Sequence, residues 1–268
     1  MNIDFLTPIL IFSIIFSSLF LYRKFEEKMK RVFGSRKFSM REAVVMVFVM
    51  GVMVTLVVFM PSYALQILFI FAYSYMLFVF IYIISDKWLL AVFPPIIFIA
   101  TYLLNYLLIK NIYVLSVFAT FFAIMTIVVM SYVFPWKVTL LFATLLTLMD
   151  VIQVLWTGQM VKAAVKMMGL YLPVALILPT FPSLKPIALG VGDIFLSGLL
   201  SIQTTSKYGR KAGVVSAITI SLGFFLFNLL MLNMPLRIAG FPATITVLLG
   251  WLPTFAFYHF KEKMKSKA

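Results

Sequence analysis

Two aspartates, Asp150 and Asp193, are the only acidic residues between Asp86 and Glu262, and each stands inside a long apolar run. Their surroundings read Leu148-Met149-Asp150-Val151-Ile152 and Leu189-Gly190-Val191-Gly192-Asp193-Ile194. Insertion scales charge roughly 2.5–3.5 kcal/mol for an aspartate at the centre of a spanning helix. No lysine or arginine stands beside either acid in the sequence to neutralise it. The simplest common explanation is a facing pair that shares a proton, as in an aspartic-protease dyad. The charged member of such a pair takes a proton from water, while the neutral member donates one to a scissile carbonyl.

Gly190 and Gly192 lead directly into Asp193. Without side chains they let a partner helix or a substrate backbone come close, and they loosen the local helix. Alone, glycines in membrane helices are more often a packing seam; attached to Asp193, they read as part of a site. A third element is Phe241-Pro242-Ala243-Thr244. Pro242 lacks a backbone donor and leaves a carbonyl free, and irregular backbone within a membrane is tolerated where it is buried or lines a cavity. On local grounds a simple helix start at Pro242 fits equally well. Asp150 and Asp193 are therefore the candidate catalytic residues. Gly190, Gly192, Pro242, Ala243 and Thr244 are the candidates for shaping the site and binding substrate.

The chain contains no cysteine and one histidine, His259. A metalloprotease centre, a thiol nucleophile and a serine–histidine pair within the membrane are thereby excluded. No phosphate-binding glycine loop, HExxH or GxSxG pattern is present. Neither a metal nor a cofactor is expected.

Positioning these residues falls to helices. Of 268 residues 64% are hydrophobic and 11% charged, a balance that only an all-α polytopic membrane protein accommodates. Apolar runs of about 20 residues give nine transmembrane helices, near 3–22, 43–60, 64–85, 88–109, 112–134, 137–157, 185–204, 212–233 and 238–258. The catalytic pair then lies on helices 6 and 7. Residues 1–134 form a five-helix N-terminal half and residues 135–268 a catalytic half. The stretch 158–184, broken by Pro173, Pro179 and Pro182, reads as a membrane-associated linker. Within it, Lys162 and Lys166 share one face of a short amphipathic helix, and Leu172–Leu178 runs extended, as ordinary interfacial packing or as an edge for a bound peptide. Asn105, Gln153, Gln159 and Asn228 read as isolated interhelical hydrogen-bonding groups.

The net charge of +14 is distributed beside the spans, at Arg23–Arg41, Lys207–Lys211 and Lys261–Lys267. That pattern fits loops facing anionic lipid rather than a nucleic-acid surface. The acidic start and the basic residues after the first span place the N-terminus outside, and nine crossings put all three basic clusters and the C-terminus on the cytoplasmic side. Asp150 follows Lys137 by 13 residues and Asp193 precedes Lys207 by 14, so each acid lies ~20 Å from the same border. Antiparallel helices would bring them to matched depth.

An aspartate in one span, GxGD in the next and a Pro-Ala motif in the last resemble the presenilin and signal peptide peptidase family of intramembrane aspartyl proteases. The similarity covers roughly residues 137–258. It implies that Asp150 and Asp193 activate water to cleave peptide bonds within transmembrane segments, and that Pro242-Ala243 shapes the active site and engages substrate. The N-outside orientation is similar to that of the signal peptide peptidase branch. Met149 stands where the family has tyrosine, and Thr244 where its third motif has leucine; Thr244→Leu is expected to be tolerated. The implied partners are transmembrane substrates and the bilayer, and association of the chain with its own copies is left open. Three rivals are a prepilin or preflagellin peptidase, whose acids lie nearer the border, a proton-coupled transporter and a catalytically idle scaffold. A transporter should show an inverted repeat, and no second copy of the GxGD or Pro-Ala stretch is visible.

Overall fold

The computed structural model describes residues 2–184, 186–234 and 240–265. The elements are α1 (Leu6–Phe33), α2 (Met40–Phe59), α3 (Ser62–Ser85), α4 (Trp88–Leu104), α5 (Ile112–Val133), α6 (Trp136–Val151), α7 (Gln159–Gly169), β1 (Ala175–Pro179), β2 (Pro186–Gly190), α8 (Val191–Tyr208), α9 (Arg210–Asn233) and α10 (Ala243–Lys265). A π-helical turn extends α4 over Asn105–Ile109, and another extends α6 over Ile152–Trp156. Among the described residues, eight helices are long and apolar enough to cross a membrane: α1 to α6, α9 and α10.

Local sequence explains several boundaries. Ser39 and Glu42 open α2 with reciprocal side-chain-to-backbone hydrogen bonds, 3.3 and 2.7 Å. Asn111 opens α5 by accepting from the Tyr113 N–H at 2.8 Å. Helix α1 runs well past the apolar limit at residue 22, because Phe25 and Met29 continue its buried face two and three turns beyond Ser18. At α7 the linker is helical as expected, but 11 residues reach only ~16 Å and cannot span.

Tertiary contacts sort the loops to two ends. At the basic end Lys28 pairs with Asp86 at 2.6 Å and Lys37 donates to the Tyr132 carbonyl. There, too, the Trp136 ring meets Tyr208 at 5.7 Å and Phe255 at 5.9 Å. At the other end Asn2 bonds Asn233, Ile3 bridges Phe181, and Tyr102 donates to the Leu170 carbonyl. Lys166 donates to the carbonyls of Val57, Val58 and Met60, which α2 leaves unpaired at its C-terminus. One of the two linker lysines is thus an inward-facing cap.

The linker also departs from an all-helical reading. Residues 175–179 pair antiparallel with 186–190, from Ala175 opposite Gly190 to Pro179 opposite Pro186. The helix expected over 185–204 therefore starts at Val191, since its first residues form β2. The last span, expected over 238–258, is seen from Ala243 to Lys265; residues 238 and 239 lie outside the described residues, as do Lys185, Pro235 and Lys267. The two proposed halves interleave: α8 packs on α1 and α5 as well as on α6, α9 and α10.

Candidate active site

Asp150 occupies the last turn of α6, and the chain beyond it leaves α-helical spacing at once for the π-helical turn. Such turns often mark functional positions. Here the turn directs Gln153 across to α2, where it donates to the Gly51 carbonyl at 2.8 Å. Met149 packs against the same glycine: a Cβ on Gly51 would collide with the Met149 thioether. The residue preceding Asp150 is thereby fixed by the absence of a side chain on α2. The contact Met149 makes is steric and apolar.

Asp193 sits in the first turn of α8, one turn after the extended strand β2. Its own backbone N–H approaches its carboxyl, and the carboxyls of Asp193 and Asp150 are near enough to interact electrostatically. Gly190 leaves room for this geometry: a Cβ there would crowd Asp193, standing 3.0 Å from its Oδ2. Gly192 has a different part: a Cβ there would meet nothing within 4 Å, and the backbone faces open space beside the acid.

The third element closes the site. Thr244, buried in the first turn of α10, donates its hydroxyl to Asp150 Oδ2 at 2.6 Å, and its backbone N–H also bonds that carboxylate. Pro242 does not interrupt a helix. It directly precedes α10, and its carbonyl accepts from the Ile245 N–H at 3.1 Å. The chain arriving there is held on both sides: the Phe241 ring packs tilted against Phe227, centroids 4.4 Å apart, and Gly240 abuts Val161 of α7 and Val154. Ala243 is half-buried at the start of α10.

These contacts answer how two acids survive without an ion-pair partner among the described residues. Each carboxyl lies at a helix N-terminus, Asp193 at that of α8 and Asp150 at that of α10, where unpaired N–H groups and the helix dipole are positive. The compensation comes from backbone, which no search for lysine or arginine reveals. Helix directions follow from the far ends. Trp136, at the start of α6, meets Tyr208 at the end of α8 and Trp251 and Phe255 on α10, while Lys207 Nζ lies 5.1 Å from the Trp136 ring centre. So α6 runs antiparallel to α8 and α10, and the counts of 13 and 14 residues from the basic border do bring the acids to one level.

The isolated membrane polars divide. Gln153 bridges helices, and Asn228 donates to Asp4 Oδ2 at 2.7 Å, joining α9 to the chain before α1. Asn105 instead accepts locally from the Asn111 N–H at 3.0 Å. Gln159 Oε1 is buried without a hydrogen bond among the described residues. The expected peptide-binding edge is displaced as well: at Ile177, N–H and carbonyl both bond the Ser116 hydroxyl of α5, at 2.8 and 2.9 Å, so β1 is covered on its outer side. The uncovered strand is β2, whose Pro186 and Ala188 are exposed.

Residues that sequence reasoning missed are Gly51 and Ser116. Gly51 and Ser116 lie on distant helices with no chemical signature, and only the fold brings them to the site. Compared with known proteins, the chain matches no family model and no curated protein sequence.

Proposed function

We propose that this chain is an intramembrane aspartyl protease, cutting peptide bonds inside transmembrane segments with Asp150 and Asp193 as its water-activating pair. The observation that carries the proposal is the convergence of two carboxyls from α6 and α8 at the N-termini of α8 and α10, with no lysine or arginine among the described residues paired to either one. A structural pair has no need of that arrangement, whereas general acid–base attack on an amide needs two coupled carboxyls within reach of one carbonyl. In this scheme the chain crosses the membrane nine times, α8 being the seventh crossing, with the N-terminus outside and the basic end cytoplasmic.

Each residue then has a task. Asp150, held by Thr244, is the carboxylate that takes the proton of the attacking water. Asp193 protonates the carbonyl oxygen as water attacks; Asp150 then passes the proton it took from water to the leaving nitrogen, while Asp193 recovers its proton from the gem-diol as the carbon–nitrogen bond breaks. Thr244 is a positioning residue, fixing one oxygen of Asp150 so that the other faces Asp193. Gly192 opens the space where the scissile carbonyl sits. A helical substrate hides its carbonyls from attack and must be extended first. β2 supports this step, because its free edge leads straight into Gly190 and Asp193 and offers main-chain hydrogen bonds to an extended peptide.

The test is cleavage of a model transmembrane peptide by the purified protein in detergent, with products read by mass spectrometry. Asp150→Asn and Asp193→Asn should each reduce turnover to the level of the double variant while melting within a few degrees of wild type. Turnover by either single variant above that blank defeats the dyad. A peptide mimic with a hydroxyl at the scissile position should inhibit competitively, since it reproduces the tetrahedral intermediate.

A further inference from the structure

A cavity of about 740 Å³ opens between α1, α8 and α9 at the basic end, well away from the two aspartates. Its wall on the membrane side is apolar, formed by Phe16, Leu19 and Phe20 of α1 with Val214 of α9. Its rim is cationic: Arg23 and Lys24 from α1 face Arg210 at the start of α9, and the hydroxyls of Thr205 and Ser206 lie between them. One carboxylate, Glu26, shares the lining, leaving three cations against one acid.

The cations differ from their neighbours in having nothing to do. One and two turns further along α1, Lys28 and Arg31 both point to Asp86, at 2.6 and 3.9 Å. Neither Arg23 nor Arg210 has a hydrogen-bond or ion-pair partner among the described residues, while Lys24 lies 5.7 Å from the Phe25 ring centre. Arg23 stands 17 residues past the start of α1, or ~25 Å along it, where a ~30 Å hydrocarbon layer gives way to headgroups. The site thus offers guanidinium forks at headgroup depth and a greasy wall running inward from them.

We propose that this cavity binds one anionic phospholipid, its phosphodiester held by Arg23 and Arg210 and an acyl chain lying along Phe16, Leu19 and Phe20. Guanidinium groups match phosphate oxygens bidentately, and basic recesses between transmembrane helices suit acidic headgroups. A free phosphate would use the same guanidinium groups, but it would leave the apolar wall unfilled. The wall is what commits the site to a lipid. Bound there, the lipid would pin α1 to the α8–α9 turn and so brace the far end of the helix that carries Asp193.

Native mass spectrometry of the purified full chain, equilibrated with equal phosphatidylglycerol and phosphatidylcholine, tests the site. Wild type should retain one phosphatidylglycerol with roughly tenfold preference, because both lipids carry a phosphodiester but only phosphatidylcholine adds a trimethylammonium group that the cationic rim repels. The Arg23→Gln/Arg210→Gln variant should lose the preference, and Arg41→Gln, which removes an equal kind of charge elsewhere, should keep it. Val214→Trp fills the wall without altering charge and should expel the lipid, which decides the matter even if the double variant folds poorly. Equal preference in wild type and the double variant overturns the proposal, as does loss of preference in Arg41→Gln. Displacement of the lipid by millimolar inorganic phosphate would also overturn it, in favour of a soluble anion.

Discussion

Helices α3 and α8 are opposites. The apolar stretch of α3 has a mean hydropathy of 2.5, yet only 11% of it is buried inside the protein. Helix α8 is not among the helices that length and composition alone mark as membrane-crossing, yet twelve of its 18 residues are buried. Its interior side chains include Ser197, Ser201, Gln203 and Thr204, and they are engaged: Gln203 donates to the Ser131 carbonyl at 2.9 Å, Ser201 meets Ser216 at 3.1 Å, and the Trp251 N–H donates to Thr204 at 2.9 Å. In lipid the exterior must be apolar, whereas the interior has no such obligation and uses small polar residues to bind helices together. Hydropathy therefore reports contact with lipid, and the helix that carries Asp193 is one it passes over.

Substitutions at the two kinds of helix should separate accordingly. The largest effect falls at the junction of the polar helices. Thr244→Val keeps shape but removes the hydroxyl from Asp150; a hydrogen bond to a charged group is worth about 1.5–3 kcal/mol, so kcat should fall by roughly 10- to 100-fold with KM little changed. Thr244→Ser should restore the rate. Thr244→Leu, expected from the family pattern to be harmless, should instead behave like valine, because it leaves Asp150 without its side-chain donor. Unchanged kcat in the valine variant would reduce Thr244 to packing.

Pro242→Ala comes next. The proline precedes α10, so alanine lets the helix begin earlier and shifts Thr244 relative to Asp150. Cleavage should drop several-fold while the melting temperature in detergent moves little. An unaltered rate would make Pro242 a helix start and nothing more.

A smaller contrast tests the comparison itself. Thr204→Val on α8 breaks the bond from Trp251 and should cost roughly 0.6–1.7 kcal/mol, the range of interhelical hydrogen bonds in membranes. Ser74 on α3 has a buried hydroxyl with no partner among the described residues. Ser74→Ala should therefore be neutral or slightly stabilising in a thermal melt. Equal losses at both positions would erase the distinction between the helices.

The smallest effect is set by pH. The Lys28 hydrogen bond holds the exposed Asp86 carboxyl below its ordinary range. A depressed carboxyl stabilises the fold above its unfolded value, about 3.9, and the benefit disappears as pH falls through the lower folded value. Melting curves of wild type and Asp86→Asn should thus converge in acid below about pH 4 and differ only slightly at neutral pH.

Much of this was written into the chain. Asp150 and Asp193 announce themselves because an acid in an apolar run is costly wherever it lies, and their spacing from Lys137 and Lys207 fixes their depth once helices are assumed. Apolar run lengths give eight of the long helices directly, since lipid contact demands them residue by residue. What the sequence could not express are relations between distant backbones: β2 taking the first residues of the seventh run because 175–179 pairs with it, Ser116 covering β1, and Gly51 making room for Met149. The neutralisation of the acids is of the same kind. It depends on the N-termini of α8 and α10 meeting at one point, and a helix dipole is a property of aligned peptides in space, carried by no side chain and so by no letter of the sequence.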